Sequence, residues 1–177
     1  YLDYDLDRIH SCKRKDIFES EEKLFFRRVS KNLIFTYDNN QFFALNTIVV
    51  VNRKPNCKEN LKVLLAIFNS DLLNYIYQKQ FKSTKIVFSE IQARSVKELP
   101  IPVIDSRTEE ALYLISSILI HQNNNEKVFV SVSNALVNQL FFPDHMKERG
   151  IDVLEFVEKD IEEVMQGREF EHLSDTE

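Results

Sequence analysis

Apolar positions along the chain follow two different rhythms. Over residues 23–52 the runs are short and rich in β-branched and aromatic side chains: "KLFFRRV" (23–29), "LIFTY" (33–37) and "FFALNTIVVV" (42–51). Such runs suit strands. The "DNNQ" between the last two (38–41) predicts a hairpin turn, because Asp and Asn bond their own backbone and tolerate left-handed geometry. "NRKPNCKEN" (52–60), with Pro55, ends the sheet run. From residue 61 the spacing becomes helical. Leu61, Leu64, Leu65, Phe68, Leu72, Tyr75 and Ile76 fall on one stripe of a long helix, with Asn60 or Asn56 as its N-cap. Asn69 and Ser70 interrupt that stripe and read as a small polar notch where another element packs close.

"QKQFKSTK" (78–85) reads as a basic, hydroxyl-bearing loop, and "IVFSEIQARSVKEL" (86–99) as one or two further strands with Ile86, Phe88 and Ile91 turned to the core. Pro100 and Pro102 fix φ and remove two amide donors, so 99–104 is an extended exit. Beyond the exit the pattern is helical. Ser106 and Glu109 fit a capping box, and Leu112, Ile115, Ser116, Leu119 and Ile120 continue at helical spacing. A second helix carries Val128, Val132, Ala135, Leu136 and Leu140. A third carries Ile151, Leu154, Val157, Ile161 and Val164. The pattern predicts an α+β fold: a mostly antiparallel sheet packed on a long helix, followed by a C-terminal helical segment. The expected division is a module over 1–104 and an acidic helical extension over 105–177.

Charge sharpens that boundary. The 177 residues carry a net charge of −5, but unevenly. Residues 23–97 hold 13 Lys and Arg against 4 Asp and Glu, whereas residues 105–177 hold 6 against 16. A polyanion partner is therefore expected for the first part only. With 44% hydrophobic residues, 14 Phe and 2 Gly, the chain is neither a linker nor a disordered tail. No apolar run approaches the roughly 20 residues of a membrane span, and no membrane partner is expected. Cys12 and Cys57 read as reduced thiols, and the expected location is the cytoplasm. The chain begins at Tyr1 without an initiator Met, which suggests part of a longer protein.

Catalytic constellations are missing from the residues. Two glycines, Gly150 and Gly167, allow no Gly-rich phosphate loop. His10, His121, His145 and His172 lack metal-ligand spacing, so neither a metal nor a catalytic residue is expected. Asp38 reads as a turn residue, and the acids of 155–163 as a solvated or docking face. Binding chemistry is better represented. Arg27, Arg28 and Lys31 follow an apolar strand. Adjacent strand residues point to opposite faces, so one of the two arginines is expected on a groove surface and the other on a phosphate or an acid. Asn39, Asn40 and Gln41 sit at the expected hairpin tip. Lys79, Lys82, Ser83, Thr84 and Lys85, with Gln78, fill the basic loop. Lys and Arg neutralise phosphates, and Asn, Gln, Ser, Thr and Arg also read base edges.

"KLFFRRVSKNLIFTYDNNQFFALNTIVVV", then "LLAIFNSDLLNYIYQ", then "FSEIQARSVKELPIPVID" resemble, in that order, the TaqI-like C-terminal specificity domain of adenine-specific DNA methyltransferases and of fused type IIG restriction–modification enzymes. The helix motif reads Phe68-Asn69-Ser70, with Phe for the usual Leu, and the exit reads Leu99-Pro100-Ile101-Pro102. "NALVNQLFFPDHMKERGIDVLEFV" (134–157) is similar to the helical extension of the fused enzymes. The resemblance spans roughly residues 18–157. Target-recognition domains of type I specificity subunits follow the same logic and are the nearest alternative.

The resemblance implies a sequence-specific reader of double-stranded DNA. Catalysis then belongs to a separate methyltransferase domain of the same chain. That domain uses S-adenosylmethionine and an Asn/Asp-Pro-Pro-aromatic motif that is absent here, so no cofactor is expected in these residues. Sequence-reading loops differ between members of the family, so base contacts do not transfer. A protein–protein interaction module, suggested by the acidic helices, is the reading from another class.

Overall fold

In the computed structural model the described residues are 4–5, 7–8, 13–81, 90–121 and 125–168. Cys12 and residues 82–89, with Lys82, Ser83, Thr84, Lys85, Ile86 and Phe88, lie outside them. Three short strands form an antiparallel sheet: β1 (Lys23–Arg27), β2 (Phe35–Asp38) and β3 (Ile48–Val51), in the order β2-β1-β3. Leu24 faces Tyr37 and Val51, and Phe26 faces Phe35 and Val49. Directly opposed residues share a face, so these six form the apolar face against the helices. Lys23, Phe25 and Arg27 lie on the other.

This order corrects the expected hairpin over 38–41. β2 and β3 flank β1 and do not pair with each other; the hairpin is β1–β2, closed by residues 28–34. The cause is local. Asp38, on the last residue of β2, is buried against Lys23 Nζ at 2.5 Å. Its carboxylate also accepts the backbone N–H groups of Asn40 and Phe42, each at 3.1 Å. Gln41 takes a positive φ of 55°, and Phe43 stacks on Phe18 of helix α1 (Lys15–Phe18) with centroids 4.9 Å apart. The chain is thereby led off the β2 edge and crosses to the far side of β1. Asp38 is a turn residue, as the sequence suggests, although the turn starts a crossover.

The long helix is two. α2 (Leu61–Asn69) and α3 (Asp71–Phe81) are separated by Ser70, whose ψ of 149° is extended. The break rephases the apolar stripe. Leu73 and Tyr77 are buried, Leu72 and Ile76 are half-buried, and Tyr75 is 60% exposed. α2 is buried on almost every side, including Val63, Ala66 and Ile67, because it packs on the sheet, on α5 (Ser106–Ile120) and on α6 (Glu126–Phe141). Asn60 caps it, accepting the Lys62 N–H at 2.9 Å.

The predicted notch has a definite partner. Asn69 Oδ1 accepts the Phe35 N–H at 2.8 Å, and its Nδ2 donates to the Phe35 carbonyl at 3.0 Å. One turn on, Asn74 Oδ1 accepts the Leu33 N–H at 2.7 Å. Side-chain amides thus stand in for a fourth strand along the outer edge of β2, occupying backbone groups that an edge leaves open.

The strand reading of 86–99 fails where it is described. Residues Ala93–Lys97 form a short helix, α4, and Glu90 makes an isolated antiparallel bridge to Val29. Ile91 is buried as expected. α5 begins one residue earlier than a Ser106 cap implies. Asp105 is the N-cap, accepting the N–H groups of Arg107 and Thr108 and the Thr108 hydroxyl. A carboxylate offers two acceptor oxygens where a Ser hydroxyl offers one. The 142–150 connector contains a further short helix, α7 (Pro143–Glu148), and α8 (Val153–Met165) closes the fold. Val157 of α8 is buried, whereas Ile151, Val164 and, on α6, Val128 are exposed. Leu24, Ile67, Leu112, Leu136 and Val157 belong to one hydrophobic core, so helices on both sides of the charge boundary share it. The fold is α+β. No helix among the described residues is long and apolar enough to cross a membrane.

Candidate nucleic-acid interface

The register of the sheet sorts the candidate residues into two groups. Lys23 pairs with Asp38 at one end of β1, and Arg27 pairs with Ile48 at the other. Asn39, Asn40 and Gln41 come directly after Asp38 and so lie at the Lys23 end. Arg27, Arg28 and Lys31 lie at the opposite end. Four residue steps along β1 separate the ends by about 13 Å. Lys79 joins the second group, because Gln78 Nε2 donates to Asn32 Oδ1 at 2.9 Å and thereby holds the last turn of α3 beside Lys31.

At this basic end the two arginines diverge. Arg27 is exposed, on the sheet face away from the helices, next to half-buried Ile48 and Val50 and exposed Thr36. Its backbone N–H donates to the Ile34 carbonyl at 3.3 Å. Arg28 is engaged by an acid. Its Nε donates to Glu90 Oε1 and its Nη1 to the Asn46 carbonyl at 3.4 Å. Backbone bonds pin this pair on both sides: the Arg28 N–H donates to the Thr47 carbonyl at 2.9 Å, and the Ile91 N–H to the Arg28 carbonyl at 2.6 Å. Of the two arginines, for one of which a phosphate or an acid is expected, Arg28 is the one that meets an acid. Glu90 is the residue that sequence reasoning missed. It is one carboxylate in a basic stretch, far from Arg28 in sequence, and only the bridge to Val29 reveals it. Lys79 projects from the exposed face of α3 with its Nζ 5.5 Å from the centre of the Tyr75 ring.

The other end offers less. Gln41 Nε2 donates to the Glu19 carbonyl at 3.0 Å, and Asn40 Nδ2 to Asn39 Oδ1 at 3.2 Å. Glu22 pairs with Arg53 and accepts the Tyr37 hydroxyl at 2.9 Å. Burial, and then that hydrogen bond, push the Tyr37 phenol up to about 12. Much of the polar capacity at this end is thus spent inside the fold.

No group of three or more His, Cys, Asp or Glu arranged to hold a metal occurs among the described residues. The groove beside the exit segment, about 220 Å³, is lined by Val103, Asp105, Thr108, Leu136, Gln139 and Leu154, and within it the Thr108 hydroxyl donates to the Asp105 carboxylate at 2.7 Å as part of the α5 cap. His121 caps the end of α5, with Nδ1 2.7 Å from the Ser117 carbonyl.

The chain is 27% identical over 154 residues, 81% of its length, to a Methanocaldococcus jannaschii protein named as a type II restriction enzyme and methyltransferase. It spans 13% of that relative's length. The sequence profile of the TaqI-like C-terminal specificity domain matches residues 1–101, ending within the Pro100-Ile101-Pro102 exit. The chain therefore belongs to the family of TaqI-like C-terminal specificity domains, the DNA-recognition modules of restriction–modification systems.

Proposed function

We propose that this chain is the target-recognition part of a larger restriction–modification protein that methylates adenine at N6. In this reading it contacts double-stranded DNA through the Arg27 end of its sheet. The observation that carries the placement is the convergence of Arg27, Arg28, Lys31 and Lys79 at one end, from β1, the β1–β2 loop and α3. Recognition groups held by a scaffold are what a reader requires. Lys82 and Lys85 come next in sequence and are expected to add to the same positive field. Asn39, Asn40 and Gln41 are left out of the interface, because their side chains bond within the fold, Gln41 to the Glu19 carbonyl and Asn40 to Asn39.

Catalysis belongs elsewhere in the parent protein. S-adenosylmethionine would bind a separate methyltransferase domain, and the acidic helices α5–α8 would face that domain or solvent. The 16 acids against 6 bases of residues 105–177 oppose a phosphate surface. The test has two arms. The chain alone, incubated with S-adenosylmethionine and duplex DNA, is expected to transfer no methyl group and cut no strand; methyl transfer by the chain alone would overturn the division of labour. Binding of the full-length gene product to duplex DNA is expected to weaken steeply with salt. Binding that ignores salt would favour the protein-interaction reading.

A further inference from the structure

The Arg28–Glu90 pair is more than a surface ion pair. Exposed pairs are usually worth little, because two long side chains must be ordered to make them. Here the ordering is largely done by the backbone. The Arg28 N–H and C=O are both bonded, to Thr47 and Ile91, and Glu90 is bridged to Val29. The guanidinium is then held at two points, Nε by the Glu90 carboxylate and Nη1 by the Asn46 carbonyl. A guanidinium has five N–H donors in a rigid plane. Two are engaged among the described residues, by Glu90 and the Asn46 carbonyl, which leaves one on Nη1 and both on Nη2. The side chain is 44% exposed, so a ligand can approach the guanidinium while its Nε and Nη1 bonds restrain the plane.

Resting on the reading of this chain as a DNA reader, the geometry points to Arg28 as a preorganised guanine-reading residue, with Glu90 as the residue that positions it. The open edge of the fork matches the O6 and N7 acceptors that guanine shows in the major groove, the commonest bidentate base contact of an arginine. Arg27 is exposed and has no side-chain hydrogen bond or ion pair among the described residues. That suits a phosphate, which asks for charge and not for a fixed plane. The neighbouring arginines thus divide the two tasks of recognition, and the carboxylate of Glu90 decides which does which.

The test is selection of binding sites from a pool of random duplexes by the full-length gene product, as wild type and as Arg28→Ala, Arg28→Lys, Glu90→Gln and Arg27→Ala. Wild type is expected to enrich a motif with a guanine at one position. Arg28→Ala and Arg28→Lys should lose that preference by about 5- to 150-fold and keep the rest of the motif. Glu90→Gln should erode the same position while its affinity for random duplex holds or rises, since a negative charge is removed. A merely structural clasp would weaken every sequence alike. Arg27→Ala should lower the salt slope by about 1 with the motif intact. Replacing the selected guanine by 7-deazaguanine should penalise wild type and leave Arg28→Ala unaffected. If wild type enriches a motif that Arg28→Ala and Glu90→Gln reproduce in full, the assignment is wrong and the DNA-reading function stands. If wild type shows neither salt-dependent binding nor enrichment, both fall.

Discussion

Lys23 and Asp38 form the most deeply buried ion pair among the described residues. Both side chains are almost wholly enclosed, at 0% and 2% exposure. Lys23 Nζ also donates to the Phe18 carbonyl at 2.7 Å, and the carboxylate accepts two backbone N–H groups. Removing one partner leaves an uncompensated buried charge, so Asp38→Ala is expected to lower unfolding free energy by about 3–5 kcal/mol. Lys23→Met with Asp38→Leu should recover part of that loss in denaturant titrations. A single mutant as stable as wild type would show that the pair does not organise the crossover. Asn69 is the second such residue. Its amide satisfies the N–H and the C=O of Phe35, and Asn69→Ala should cost about 1–2 kcal/mol by the same measurement.

Among the elements, caps and breaks set the architecture. The side-chain and backbone hydrogen bonds from Thr108 hold the Asp105 carboxyl below its ordinary value, and Gln139 does the same, with the Glu155 N–H, for Asp152 at the start of α8. A depressed folded value means stabilisation that is complete above the unfolded value of about 4 and lost as pH falls through the folded one. Between pH 6 and 3 the denaturation midpoint of wild type should therefore fall more than that of Asp105→Asn with Asp152→Asn. Equal falls would remove the caps from the account. Ending the chain after residue 145 takes away Val157 and the Arg107–Glu158 ion pair and should lower thermal stability clearly. The loss should exceed any loss of DNA affinity in the fraction that stays folded. Periodicity revealed α5, α6 and α8, because each shows one apolar stripe to one core. It misled at 61–81, where Ser70 resets the phase, and at 93–97, where five residues are too few to carry a period. It also made Phe42 and Phe43 look like strand, although they serve a crossover that packs on Phe18. Strand pairing is a long-range choice, and the Lys23–Asp38 contact that makes it joins residues 15 apart in sequence.

For the whole molecule, uneven charge was the most legible feature, and the site was legible only in part. Arg27, Arg28 and Lys31 are close in sequence, and a strand must separate the faces of the two arginines. The distance of Asn39–Gln41 from them depends on the strand order β2-β1-β3, which local propensity does not encode. That order makes the central claim testable in one measurement: DNA affinity of the full-length gene product from 50 to 300 mM salt, for wild type and for two triple variants. One variant removes the basic end, Arg27→Ala with Lys31→Ala and Lys79→Ala. The other removes the far end, Asn39→Ala with Asn40→Ala and Gln41→Ala. Removing a cation that neutralises one phosphate lowers the slope of log affinity against log salt by about 0.9. The slope of the basic-end variant should drop by between about 2 and 3, and the far-end variant should overlay wild type. An unchanged slope in the first variant, or a loss of affinity confined to the second, would contradict the placement of the DNA interface at the Arg27 end of the sheet.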